Sequence, residues 1–310
     1  MIYTGKTHVV IDNWLMTSGY DRERTRGERV ISATSLLKPV KSLILSSRLE
    51  QEDIPETDLT DMAASRIGTA IHDSIERAWI DEEVRQKNME VLNESSNVEV
   101  ISEKRTSREL YGWTVTGKFD LVVNGRLADI KTTSVISYMS GSRVDDYIKQ
   151  CSVYRWLNQE LITDEEFDIL YVFLDWARSG GYKEGYPASR VMKQSYKLMS
   201  LEDTELMIKQ KLNELNEYFN EPEENIPPCS PSELWCTDSV YKYYSDKNKT
   251  GGRSLKNFKT FEEAEMFRLD RARKDPDGIV IHVPGTPRRC AYCESRFICS
   301  QGKENLLNGT

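Results

Sequence analysis

The stretch Gly117–Ser134, GKFDLVVNGRLADIKTTS, sets two carboxylates and a lysine where a β-hairpin ordinarily carries Thr, Tyr or Val. They are Asp120, Asp129 and Lys131. Asn124-Gly125 is a strong hairpin signal, because a type I′ turn needs positive φ at both central positions. A two-residue turn puts Val123 against Arg126 and, counting outward, Asp120 against Asp129. Side chains alternate along a strand, so Asp129 and Lys131 share a face and Asp120 is expected to join them. Phe119 and Ile130 are expected to pair on the other face. Like charges opposed across a sheet destabilise it, so a cation must compensate. Two chemistries stay open. One is a surface ion cluster neutralised by Lys131; the other is a divalent metal held by both carboxylates, with Lys131 orienting or activating a water. Mg²⁺ favours one or two carboxylates together with waters and phosphates. Held there, it would stabilise the attacking and leaving oxygens of a phosphodiester.

Periodicity indicates the elements that must position these groups. Residues 30–50 read as an opening helix with Leu36, Leu37, Leu43 and Leu45 inward, interrupted by Pro39, and residues 51–65 as an acidic loop. From Arg66 to Gln86, Ile67, Ile71, Ile75 and Trp79 recur at helical spacing and predict a buried stripe. His72 follows Gly68 by one turn, so the missing side chain at 68 leaves room beside the imidazole; alone, it is a core histidine or a ligand. Residues 98–133 read as strands, 143–161 as a helix with Val144, Ile148, Cys151 and Leu157 inward, and 167–176 as a buried strand. Gln150 and Tyr154 share a helix face; the plainest reading is a Tyr capping the core and an exposed Gln. Ser200-x-x-Asp203 caps an amphipathic helix. The Pro-rich break at 221–231 divides a core of residues 1–222, with an N-terminal helical segment, from a Cys-containing subdomain at 223–310 expected to pack on it.

Taken together, Gly68–His72 as GxxxH, Asp120, Asp129-Ile130-Lys131 as DxK, and Gln150–Tyr154 as QxxxY resemble the PD-(D/E)XK nuclease superfamily, in its RecB-like exonuclease branch. The resemblance implies an α/β, restriction-endonuclease-like fold, a mixed central sheet flanked by helices, with a small C-terminal Cys-containing module. It implies Mg²⁺ or Mn²⁺ bound by His72, Asp120, Asp129 and the carbonyl of Ile130, with Lys131 holding the attacking water. Gln150 and Tyr154 would position the DNA backbone or the metal-bound water. The implied activity is a metal-dependent DNA exonuclease acting on linear DNA with ends, in phage-type replication or recombination. A recombination or single-strand annealing partner follows by analogy. The alternatives are a nuclease-derived DNA-binding or assembly subunit without cleavage, and a protein whose hairpin charges form only a structural salt bridge.

Cys290-x2-Cys293-x5-Cys299 is a spacing suited to metal ligation. It is similar to the C-terminal part of the iron–sulfur motif in AddB-type nucleases, which take a fourth cysteine from an N-terminal Cys-Pro setting. Here Lys38 precedes Pro39, and no cysteine precedes Cys151. A [4Fe–4S] cluster needs four thiolates, so Cys229 is expected as the fourth ligand, with Cys236 as the alternative; four thiolates also suit structural Zn²⁺. Cys151 reads as a buried small hydrophobe.

The chain has 310 residues and a formal charge of −8, which argues against a nucleic-acid coat protein but leaves room for local phosphate grips. Residues 241–259 carry six Lys or Arg against Asp246 alone, interleaved with tyrosines. They read either as a solvated loop or as a grip on a DNA backbone. No apolar run approaches the ~20 residues that span a bilayer, and MIYTGKTHVVIDNW lacks a signal-peptide pattern. No membrane association is expected, and the location expected is cytoplasmic.

Overall fold

The computed structural model describes residues 3–17, 29–50, 57–92 and 98–308. The chain divides into two units, Met1–Lys38 with Ile54–Phe219, and Pro39–Asp53 with Asn220–Thr310. Its strands in chain order are β1 (Tyr3–Thr4), β2 (Val30–Ser32), β3 (Thr57–Asp58), β4 (Val100–Ser102), β5 (Arg105–Leu110), β6 (Trp113–Lys118), β7 (Leu121–Val123), β8 (Arg126–Thr133), β9 (Glu166–Phe173), β10 (Val191–Lys197), β11 (Val240–Tyr244), β12 (Lys256–Phe258) and β13 (Ile279–Val283). The helices are α1 (Val9–Met16), α2 (Val40–Ser47), α3 (Ala63–Ile80), α4 (Glu82–Leu92), α5 (Val135–Ser140), α6 (Val144–Leu157), α7 (Leu201–Tyr218), α8 (Phe261–Arg271) and α9 (Ser300–Asn308).

The first unit is built on a five-stranded sheet of order β10-β9-β8-β7-β4. Strands β8 and β9 run parallel and the other neighbours antiparallel, so the sheet is mixed. This is the α/β class the sequence predicts. Parallel neighbours need a long crossover, and here it is the segment through α5 and α6. Strand β8 is covered on both faces. Ile75 of α3 packs on Leu121, Ala128 and Ile130, while Asp129 is 1% exposed on the other side. A second sheet, β2-β6-β5, pairs β2 parallel to β6 through Ile31 and Val115, both buried.

The hairpin register is the one its turn dictates. Asn124 and Gly125 have φ of 49° and 81°, and the ladder pairs Val123 with Arg126 and Leu121 with Ala128. The Gly125 carbonyl accepts the N–H groups of Thr163 and Asp164, at 3.0 and 3.2 Å. A Cβ at Gly125 would lie 2.4 Å from Thr163 Oγ1. The crossover therefore returns to clamp the turn.

Several expectations change. Residues 30–50 are not one helix but β2, a 3₁₀ turn (Ser35–Leu37) and α2. Pro39 is the reason: Lys38 before it is extended, at φ −80° and ψ 153°, as a residue preceding proline prefers. The stripe of α3 is only half-buried at Ile71, Ile75 and Trp79, and Ile67 is exposed. Of the acidic loop, residues 51–56 lie outside the described residues; the rest forms β3, a 3₁₀ turn (Leu59–Met62) and the start of α3. Ser200 caps α7 as expected, accepting the Asp203 N–H.

In the second unit, β11, β12 and β13 form an antiparallel sheet of order β12-β11-β13. Residues 241–259 are thus two paired strand segments, from β11 and β12, joined by a connection over 245–255 that holds a 3₁₀ turn (Lys247–Lys249). Tyr243 is fully buried and meets Phe267 of α8 edge-on, and Phe258 meets the same ring. Tyr241 and Tyr243 at alternate positions supply the strand pattern that Lys242 between them conceals. No helix among the described residues is long and apolar enough to cross a membrane.

Candidate active site and cysteine cleft

Four segments of the first unit bring the charged groups together. Asp120 stands just beyond the last β7–β8 pair. Its Oδ2 accepts the Ile130 N–H at 2.8 Å, and its Oδ1 lies 3.6 Å from His72 Nδ1 on α3. Its own carbonyl accepts the Glu103 N–H. The ladder therefore ends one residue short of the expected Asp120–Asp129 and Phe119–Ile130 pairs, and Asp120 contacts the strand through its side chain instead.

Asp129 and Lys131 share the face of β8 turned to α6. Lys131 Nζ lies 2.6 Å from Asp129 Oδ2 and reaches Gln150 Oε1 at 3.5 Å. Gln150 Nε2 donates to Tyr154 OH at 2.7 Å and to Thr34 Oγ1 at 3.2 Å. The Tyr147 ring lies under the Lys131 ammonium, 5.3 Å from centroid to Nζ, a cation–π separation.

Two glycines allow this approach. A Cβ at Gly68 would lie 3.0 Å from Thr132 Oγ1, so the helix of His72 seats directly on β8. Gly68 makes room for the strand, not for the imidazole. A Cβ at Gly117 would lie 2.7 Å from Leu157 Cδ1 and 2.9 Å from the Tyr154 ring, so β6 is stripped of a side chain where α6 crosses it. Gly117, Thr34 and Tyr147 are the contributors that sequence reasoning missed. Tyr147 had a signal, standing one turn before Gln150 and two before Tyr154; Thr34 had none.

The electrostatics follow from burial and pairing. Burial pushes the Asp129 carboxyl up, Lys131 opposes it and Asp120 adds to it, leaving its pKa at about 6. Burial would raise Asp120 too, but the His72 hydrogen bond and charge, Lys131 and the Ile130 N–H hold it below its ordinary value. For His72, burial is outweighed by Asp120 and Asp129, and the imidazole is raised. Lys131 is held well above its usual range by Asp129 and Asp120 despite burial. Burial and the Asp129 charge keep the Tyr154 phenol protonated.

A divalent metal can be tested against these donors. Asp129 Oδ2 is buried and already meets the Lys131 ammonium at 2.6 Å, so a metal there would share that oxygen with Lys131. His72, Asp120 and Asp129 are the nitrogen and oxygen donors that Mn²⁺ accepts, and the two carboxylates suit Mg²⁺. Among the described residues, however, no three His, Cys, Asp or Glu side chains converge on one point. The groups stand as two pairs, His72–Asp120 and Asp129–Lys131, and Lys131 supplies the compensating charge.

In the second unit, Cys229, Cys290, Cys293 and Cys299 line one cleft with Pro39 and Ser42. Cys236 does not line it. Cys293 Sγ is 3.3 Å from Ser42 Oγ and 3.2 Å from Ser295 Oγ. Cys299 Sγ accepts the Gly302 N–H at 3.3 Å, and Asn305 Nδ2 donates to Cys290 Sγ at 3.4 Å. Gln301 clasps the Cys229 backbone, accepting its N–H at 2.8 Å and donating to its carbonyl at 3.0 Å. Burial, then Glu233 and the neighbouring cysteines, push the Cys229 thiol up to about 11. Cys151 is fully buried in α6, away from this group in the other unit.

No family model matches the chain, and no curated protein matches it. Among solved structures, the chain is similar to SSO0001 at 14% identity, over 69% of this chain and 86% of that one, with a TM-score of 0.43. It is similar to a phage-related exonuclease from Haemophilus somnus 129PT at 13% identity, over 61% and 92%, with a TM-score of 0.31. Likewise it is similar to an alkaline exonuclease from Laribacter hongkongensis at 10% identity, over 59% and 90%, with a TM-score of 0.30.

Proposed function

We propose that the chain is a Mg²⁺- or Mn²⁺-dependent deoxyribonuclease that hydrolyses linear DNA from its ends, serving phage-type replication or recombination. The observation that carries this reading is one line of contacts drawn from four distant segments: His72 to Asp120, Asp120 to Ile130, Asp129 to Lys131, and Lys131 through Gln150 to Tyr154. A structural ion pair between Asp129 and Lys131 would need neither His72 nor Gln150.

His72, Asp120, Asp129 and the Ile130 carbonyl would hold the metal, which supplies Lewis-acid polarisation of the scissile phosphate. The chain's own groups do the rest. Lys131 stays protonated and orients the attacking water by donating to it. Gln150, fixed by Tyr154 OH and Thr34, holds the Lys131 ammonium in place. The Ile130 N–H locks the Asp120 carboxylate in its rotamer.

The test is loss of end-labelled linear DNA beside a closed circle, with Mg²⁺ or Mn²⁺, by wild type and Lys131→Ala. Loss of the linear substrate alone, by wild type alone, is expected. If neither protein cuts but both bind DNA, the chain is an assembly subunit instead.

For the second unit we infer that Cys229, Cys290, Cys293 and Cys299 hold a [4Fe–4S] cluster, with structural Zn²⁺ the competing occupant. The common cleft supports that set of four, and the separation of Cys236 from it favours Cys229 as the fourth ligand. A colourless protein carrying stoichiometric zinc after anaerobic purification would reject the cluster.

A further inference from the structure

We propose that the module Val240–Val283 of the second unit is a grip for single-stranded nucleic acid, a contact separate from the proposed hydrolytic site. It extends the nuclease reading, and two independent observations carry it.

The first is charge. In a chain of net −8, the hairpin 241–259 has six cations and one carboxylate. Lys249 pairs with Asp246, at 3.5 Å and largely exposed, and Lys247 pairs with Asp277. Exposed Arg253 and Lys259 have no anionic partner among the described residues. Exposed pairs of this kind are worth little, so these cations are free to exchange their counter-ions for phosphates.

The second is aromatic surface that the module's core does not use. Tyr243, Phe258 and Phe267 form that core. At the other end of β11, Tyr241 stacks on exposed His282 with centroids 4.8 Å apart, and Phe261 meets Tyr241 edge-on at 5.9 Å. Phe261 is the first residue of α8 and is 50% exposed. An aromatic left open beside Lys259 offers a face to an unstacked base, which a duplex keeps inside its stack. The exposed Glu262 and Glu263 turn phosphates away from the start of α8. The sugar–phosphate chain therefore follows the hairpin connection, and the bases turn toward the rings.

The experiment uses the full chain in EDTA and fluorescence anisotropy of labelled oligodeoxythymidine across a salt series. It compares wild type, the triple variant Lys249→Ala/Arg253→Ala/Lys259→Ala, and Phe261→Ala. Each lost phosphate contact should lower the slope of log affinity against log salt by about 0.7, hence by about 2 for the triple variant. Phe261→Ala should weaken binding by about tenfold with the slope unchanged. Metal-dependent hydrolysis of bis(4-nitrophenyl) phosphate should be the same in all three proteins. Wild-type affinity and slope in the triple variant would overturn the proposal, as would equal binding of duplex with no effect of Phe261→Ala. If the slope shifts while wild type hydrolyses neither DNA nor the small ester, the grip stands and the nuclease reading falls.

Discussion

The carboxylate–lysine cluster on β8 and the cysteine cleft of the second unit are the two places where we propose a metal, yet they solve the problem of buried polar groups differently. On β8 the cation is built in. Lys131 neutralises Asp129, His72 faces Asp120, and every charged group has a counterpart without an ion. In the cleft the sulfurs meet two serine hydroxyls, an amide and a backbone N–H. Burial pushes the Cys229 and Cys299 thiols up rather than down. The first site is balanced in charge as it stands. The second gathers four thiols beside Arg289 and Arg296, and the Lys41 charge only partly offsets the effect of burial on Cys299.

The sharpest way to break this contrast is to remove a cysteine. If the cleft holds the proposed metal, Cys229→Ala should release it and lower the melting temperature more than any other substitution considered, since thiolate metal sites contribute on the order of 10 kcal/mol. Cys236→Ala should leave metal content unchanged, as read by elemental analysis of the purified proteins. Equal losses from both would dissolve the distinction between them.

Lys131→Ala comes next. Hydrolysis should fall by about 10³, and an unpaired buried Asp129 should cost about 3–5 kcal/mol near neutral pH. The pH dependence has a definite sign. Asp129 is raised from its ordinary 3.8 to about 6, so between those values the folded state holds a proton that the unfolded state has released. Its contribution to stability is fully present below 3.8 and is lost as pH rises through about 6. The destabilisation by Lys131→Ala should therefore shrink at pH 4, where Asp129 is neutral in the variant, and denaturant melts at the two pH values measure it. A uniform loss would mean that Lys131 matters for packing, not charge.

Gly117→Ala tests the approach of α6. A methyl 2.7 Å from Leu157 and 2.9 Å from Tyr154 cannot be accommodated without movement, and should cost about 1–3 kcal/mol. Leu157→Ala in the same chain should recover part of that loss. The smallest effect is expected from Tyr154→Phe, which removes one hydrogen bond to Gln150. About 1 kcal/mol of stability and a modest fall in turnover should follow, read by thermal melts and initial rates.

Much of the hairpin around Asn124-Gly125 could be read from the chain because its rules are local. Asn124-Gly125 sets the turn, the turn sets the register, and period two assigns Asp129 and Lys131 to one face. The side-chain bond from Asp120 to Ile130 N–H could not be read that way, since the Asp120 carbonyl turns instead to the Glu103 N–H in the bend after β4. Gly68 was noticed but given the wrong neighbour, because only the packed structure reveals Thr132 beneath it. The opening segment misled for a simpler reason. Leucines at helical spacing outweighed Pro39 in the reading, whereas in the chain the proline ends one element and starts the next. Lys242 between the tyrosines of β11, and the lysines that follow it, hide the strand in the same way that charge can hide any half-exposed edge.

The clamp of Thr163 and Asp164 on the Gly125 carbonyl bears on how such a chain could diversify. A hairpin tip is ordinarily the cheapest place to insert residues. Here the tip is indexed from outside, so one added residue would have to break two backbone bonds and would shift Asp129 and Lys131 to the opposite face. Length variation among homologous chains should accumulate at other connections, and the spacing from Asp120 to Lys131 should stay invariant wherever the chemistry is kept.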